Sequence, residues 1–138
     1  MHILLIEDNP GDVRLTQEVL KEGQRLHELH AVPDGEEALR YLEQTGPHQR
    51  GPRPDIIFLD LNLPKVGGLE VLRRIRQMPA WQHIPVLILT TSEAERDIQE
   101  AYRLRANGYI TKPVDINQFV EVIISIERFW FEVATLAP

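Results

Sequence analysis

With 138 residues, 43% hydrophobic and 26% charged, the chain has the length of one compact domain and the composition of a soluble globular protein. The lack of cysteine excludes disulfide scaffolds, thiolate metal sites and cysteine nucleophiles, and the net charge of -6 disfavours a general binder of nucleic-acid backbones. No apolar run approaches the roughly 20 residues of a membrane span, and MHILLIEDNP reaches acidic residues too early for a secretory signal, so the expected compartment is the cytoplasm.

The first apolar run, HILLI (2–6), predicts a strand that ends in Glu7 and Asp8. Asn9-Pro10-Gly11 then breaks the chain before a helical segment from Asp12 to Glu22, for which Asp12 can serve as N-cap. ELHAV (28–32) predicts the second strand, Asp34-Gly35 a turn, and Gly35 to Gln44 the second helix. The stretch TGPHQRGPRP (45–54), with three prolines and two glycines, reads as an exposed loop rather than a domain linker, since neither flank could fold alone.

DIIFLD (55–60) is apolar until it places a carboxylate, Asp60, at its end. In the turn that follows, Pro64 sets the shape, and Gly67 and Gly68 carry no side chain to crowd Asp60. Gly68 to Gln77 predicts a helix, and VLILT (86–90) a strand running into Thr90-Thr91-Ser92. Glu93 to Ala106 reads as a helix with acids early and Arg103 and Arg105 late, as its dipole favours, and Ser92 with Glu95 fits a capping box. GYIT (108–111) leads into Lys112-Pro113, and the last helix is expected from Asp115 to about Thr135. Strands alternating with helices, the strands apolar throughout, predict an α/β fold with a parallel sheet covered on both faces.

Ligands of open parallel sheets bind beyond the carboxyl ends of the strands. At those ends stand Glu7 and Asp8, Asp60 and Asn62, Thr90, and Lys112. Each alone has a plain explanation as a cap or a turn residue. Together they form the combination that metal-assisted phosphoryl chemistry requires. Crowded acids call for a hard cation, and Mg²⁺ prefers oxygen ligands. Asp8 and Asp60 are expected as direct ligands, Glu7 through water, and the main-chain carbonyl of Asn62 as a further ligand. An Asp beside such a cation can attack phosphorus to give an acyl phosphate, with Lys112 and the Thr90 hydroxyl around the phosphoryl oxygens.

LLIEDNPGD, PDIIFLDLNLPKVGGLEVLRRIR, PVLILTTSE and GYITKPVD closely resemble the receiver domain of two-component response regulators, over nearly the whole chain. The resemblance implies a flavodoxin-like (CheY-like) doubly wound fold, five parallel strands with helices on both faces. It implies Asp60 as the phosphoacceptor from a histidine kinase, Glu7 and Asp8 as the acidic pair for Mg²⁺, Thr90 as switch hydroxyl and Lys112 as the phosphoryl-binding lysine. Tyr109 matches the aromatic that turns inward with the switch hydroxyl, the alternative being simple packing at a strand edge. Loop length and the EDNPGDVRL opening resemble the small stand-alone receivers that partner phytochrome-type kinases. Two rivals remain open: a Mg²⁺-dependent phosphohydrolase or phosphotransferase with an aspartyl nucleophile, which would want an acid where Asn62 stands, and an adaptor that no longer uses phosphate.

The expected organisation is one receiver domain over residues 1–138 with an extended last helix, no output domain and no separate substrate, so the signal leaves through the receiver's own surface. At about 100° per residue from Ile116, the apolar arc of the last helix covers more than half its circumference, more than packing on a sheet needs. Ile126, Phe129, Trp130 and Phe131 are therefore expected to form an interface, in a homodimer through this helix and the fifth strand, unless the aromatics fold back on their own domain. Neither nucleic acid nor membrane is an expected partner.

Overall fold

The computed structural model describes residues 1–23, 27–43 and 53–138. Gln44 and most of the proline-rich loop, 45–52, lie outside the described residues. The five apolar runs form β1 (His2–Ile6), β2 (Glu28–Val32), β3 (Ile56–Leu59), β4 (Val86–Thr90) and β5 (Gly108–Thr111), all parallel, in the order β2-β1-β3-β4-β5. The chain leaves β1 toward one edge and returns past it to β3, so strand order reverses between these two. That crevice is where a doubly wound sheet offers its binding site.

Strand residues alternate between two apolar layers. Leu4, Ile6, Ile57, Leu59 and Ile88 pack under α2 (Gly35–Glu43), α3 (Gly68–Gln77) and α4 (Glu95–Arg103) through Leu42, Leu72, Ile75 and Ala101. Ile3, Leu5, Ile56, Phe58 and Leu89 pack under α1 (Pro10–Lys21) and α5 (Ile116–Ile126) through Leu20, Phe119 and Ile123. Burial on both faces is why β3 and β4 contain no alternating polar residue. Among the described residues no helix is long and apolar enough to cross a membrane.

Two helix starts differ from expectation for local reasons. Asn9, not Asp12, caps α1: its Oδ1 accepts from the Asp12 amide at 3.1 Å, and Pro10, which has no N–H to satisfy, begins the helix two residues earlier. Ser92 does not form a capping box with Glu95. Its hydroxyl donates to Asp97 Oδ2 at 2.6 Å, and α4 starts only at Glu95.

The C-terminal helix departs most. α5 ends at Ile126, and Glu127–Val133 continues as π-helical turns, closed by the Ala134 amide donating to the Phe129 carbonyl five residues back at 2.7 Å. Ile126 and Phe131, expected at an interface, are 4% and 1% exposed and belong to the monomer's own core. Phe131 stacks parallel to Phe58 at 6.4 Å and tilts against His27 at 4.8 Å. Glu127 turns inward beside them and pairs with His27 Nε2 at 3.1 Å. Of the expected interface residues, Phe129 is exposed and Trp130 half-buried, the two rings edge to face at 5.4 Å.

At the opposite end of the sheet from Asp60, Arg76 fixes the approach to β5. Its buried guanidinium donates to the carbonyls of Arg105 (2.9 Å) and Ile84 (2.8 Å) and to Asn107 Oδ1 (2.8 Å). Burial, and then the neighbouring Arg105, lower its pKa.

Candidate functional site

Parallel pairing brings the strand ends level, with Ile6 beside Leu59 and Thr90 beside Thr111. The residues just beyond them therefore meet. Asp60, Glu7, Thr90 and Lys112 converge, each less than a tenth exposed, while Asp8 stands exposed at the rim. Glu7, Asp8 and Asp60 each offer a carboxylate oxygen within 4.8 Å of the others.

Thr90 Oγ1 donates to Asp60 Oδ1 at 2.7 Å, and the Asn62 amide donates to the same oxygen at 3.2 Å. Lys112 Nζ donates to Asp60 Oδ2 at 3.2 Å, to Asp12 Oδ2 at 3.0 Å and to Glu7 Oε2. The Asn9 amide donates to the other Glu7 oxygen at 3.0 Å. Gly68 lies directly behind Asp60: a β-carbon there would stand 2.6 Å from Leu61 Cα and collide with the Asp60 carbonyl. Gly67 has open space around it, so only the second glycine of the pair is required by packing. Lys65, at φ 67°, turns the loop through the left-handed region and reaches Asp34 Oδ2 at 3.7 Å.

The acids divide their protons unequally. Burial opposes ionisation of Asp60, but the Thr90 hydroxyl, the Lys112 charge and the Asn62 amide outweigh it and hold the carboxyl below its ordinary range. Glu7 is pushed up to about 7, chiefly by burial against the pull of Lys112, with Asp60's charge adding to the rise. Lys112 is desolvated too, yet Glu7, Asp12 and Asp60 raise its pKa and keep it charged. One ammonium cannot neutralise all the carboxylates it meets, and the burial of Glu7 makes it the acid whose ionisation is opposed.

Tyr109 is brought to the β4–α4 loop: its hydroxyl donates to the Ser92 carbonyl at 2.8 Å, and burial raises its pKa. The Asn62 side chain spans the mouth toward Thr91 Oγ1 at 3.4 Å. Two members of the site are not expected from the sequence pattern, in which Asp12 reads as a helix cap and Asn9 as part of a turn. The only signal was spacing, since an acid four residues after Asp8 falls one helical turn beyond the first strand's end.

The whole arrangement has relatives. Residues 3–124 match the response regulator receiver domain family. This chain belongs to the response regulator receiver family. The response regulator Rcp1 of Synechocystis sp. is 46% identical over 134 residues, 97% of this chain and 91% of Rcp1. The crystal structure of the Mn²⁺-bound form of Rcp1 superposes with a TM-score of 0.94 at 45% identity, over 99% of each chain. That of the phosphorylated cyanobacterial phytochrome response regulator RcpA gives a TM-score of 0.94 at 46% identity, over 99% of this chain and 98% of RcpA. The fold of this receiver is thus the CheY-like, doubly wound one expected from its sequence.

Proposed function

We propose that this receiver accepts a phosphoryl group on Asp60 from the phosphohistidine of a sensor kinase and signals through altered protein–protein contacts. The observation that carries the reading is the convergence on Asp60 of Thr90 at 2.7 Å and Lys112 at 3.2 Å, with Glu7 and Asp8 alongside. An Asp60 carboxylate oxygen attacks phosphorus, the O–P bond forms as the N–P bond breaks, and the leaving electron pair stays on the imidazole nitrogen. Lys112 and the Thr90 hydroxyl then turn to the phosphoryl oxygens. Once Thr90 releases Asp60, Tyr109, which holds Ser92, can follow it, and the β4–α4 loop changes shape. The test is Mg²⁺-dependent labelling by acetyl phosphate, read by intact mass and abolished by Asp60→Asn.

The donor set fits a hard divalent cation: clustered carboxylate oxygens, two of them buried, and no nitrogen or sulfur ligand among them. Glu7, Asp8 and Asp60 would hold Mg²⁺, with the Asn62 main-chain carbonyl completing the protein ligands. When bound, it neutralises charge on the phosphoryl oxygens. Because Glu7 must give up its proton to face a cation, Mg²⁺ affinity should rise about tenfold per pH unit up to about pH 7 and flatten above it. Without cation, the folded chain binds more protons than the unfolded one between pH 4.5 and about 7. The Glu7 contribution to stability is therefore present below that window and lost as pH rises through it. Calorimetric titration across the range checks the first expectation; a pH-independent affinity would refute it.

The phytochrome link rests on RcpA, described as a phytochrome response regulator, and points to a kinase of that type. The proposed output surface is a homodimer through α5 and β5. A groove of about 610 Å³ runs there past Ile110, Val122, Phe129 and Trp130, with Phe129 54% exposed. Cutting the chain after Glu127 would remove the core residue Phe131, so a point change is the cleaner probe. Phe129→Glu should shift sedimentation from dimer to monomer at unchanged melting temperature. A wild-type monomer would sink the dimer.

A further inference from the structure

Lys112 meets three carboxylates, and only Glu7 and Asp60 belong to the proposed cation set. The third, Asp12, stands on the first turn of α1. Its own amide donates to Asn9 Oδ1 at 3.1 Å and its carbonyl accepts from Thr16 Oγ1 at 2.8 Å, so the backbone that carries it is fixed at both ends. Its carboxylate approaches Lys112 from the helix side, 3.0 Å from Nζ, and is 29% exposed where Glu7 and Asp60 are nearly closed off.

A cation that draws on Glu7 and Asp60, and a phosphoryl group that esterifies Asp60, both weaken the hold of those two carboxylates on the ammonium. Asp12 loses nothing in either event. A lysine on a flexible four-carbon stem, with only one undiverted partner, takes its direction from that partner. Charge points the same way: the half-buried Asp12 is better screened by water than Glu7 or Asp60, so its repulsion counts for less than its direct contact with Nζ.

We propose that Asp12 is a positioning residue for phosphoryl transfer, holding the Lys112 ammonium beside Asp60 while Glu7 and Asp60 are engaged by cation and phosphoryl. The inference rests on Asp60 being the phosphoacceptor. Asp12 touches none of the reacting atoms. Its ordinary alternative, an acid that merely favours the start of a helix, would affect folding and nothing else.

The full chain is titrated with beryllofluoride, a phosphoryl mimic, in excess Mg²⁺, and labelled in parallel with acetyl phosphate. Asp12→Asn should bind the mimic about tenfold more weakly and label about tenfold more slowly, the size of one charge-assisted contact. Asp12→Glu, which keeps the charge, should recover most of both. In cation-free urea unfolding, Asp12→Asn and Lys112→Met should be non-additive, which reports the contact without any phosphoryl chemistry. Equal mimic affinity in wild type and Asp12→Asn, or equal losses in Asp12→Asn and Asp12→Glu, would overturn the proposal. A wild-type chain that binds no mimic would overturn the phosphoacceptor reading itself, and this one with it.

Discussion

Replacing Asp60 with asparagine abolishes acetyl phosphate labelling, while the protein stays folded. The expected loss of labelling is complete because, among the described residues, no other carboxylate is placed to substitute. Glu7 is turned to Lys112 and the Asn9 amide, where burial opposes its ionisation, and Asp8 stands out at the rim. Only Asp60 combines ionisation with donors already in position, the Thr90 hydroxyl on one oxygen and the Lys112 ammonium on the other. The chain still folds because the amide keeps an acceptor oxygen for Thr90 and Asn62, although the contact of the second oxygen with Lys112 is lost. Labelling that persists in Asp60→Asn would assign the chemistry elsewhere. A wild-type chain that never labels would instead favour an adaptor with no use for phosphate.

Lys112→Met has the second largest expected effect, this time on stability. Removing the ammonium leaves Glu7 and Asp60, 4% and 6% exposed, facing one another without a counter-charge. Breaking a buried pair in this way costs about 3 kcal/mol. The cost depends on pH in a definite direction. With the lysine gone the carboxyls titrate higher in the folded chain than in the unfolded one, so protonation relieves them at low pH and the penalty grows as pH rises. Saturating Mg²⁺ should restore part of the loss by replacing the missing charge between the acids. Urea unfolding at about pH 6 and about pH 8, with Mg²⁺ and with chelator, measures this. A penalty independent of both pH and Mg²⁺ would mean that Lys112 matters through packing of its stem alone.

These two variants also separate the readings of the site. A phosphohydrolase would need a general acid near the nucleophile, and the residue two positions after Asp60 is an amide whose side chain reaches Thr91 instead. The arrangement suits a protein that holds its phosphate long enough to signal.

What the sequence determined by itself was the part that short-range physics controls. Unbroken apolar runs such as IIFL and VLILT have no stable alternative to a strand covered on both faces, and a carboxylate, a hydroxyl or a lysine directly after such a run must emerge at the strand's carboxyl end. Glu7, Asp60, Thr90 and Lys112 were legible for that reason, since parallel pairing leaves one rim for all of them. Tertiary structure decided whatever turned on which face of a helix looks inward. Asp12 became a lysine partner only because the Lys112 side chain, from beyond the end of β5, reaches the first turn of α1, a neighbourhood no local pattern encodes. Projecting the last helix at a constant angle failed past Glu127, because the wider π-helical turns advance less per residue and carry Phe131 into the interior. There a partner from the far end of the sequence, His27, receives Glu127, and the ring of Phe58 receives Phe131. Burying a charged side chain depends on such a partner being present, and its presence is a property of the folded chain alone.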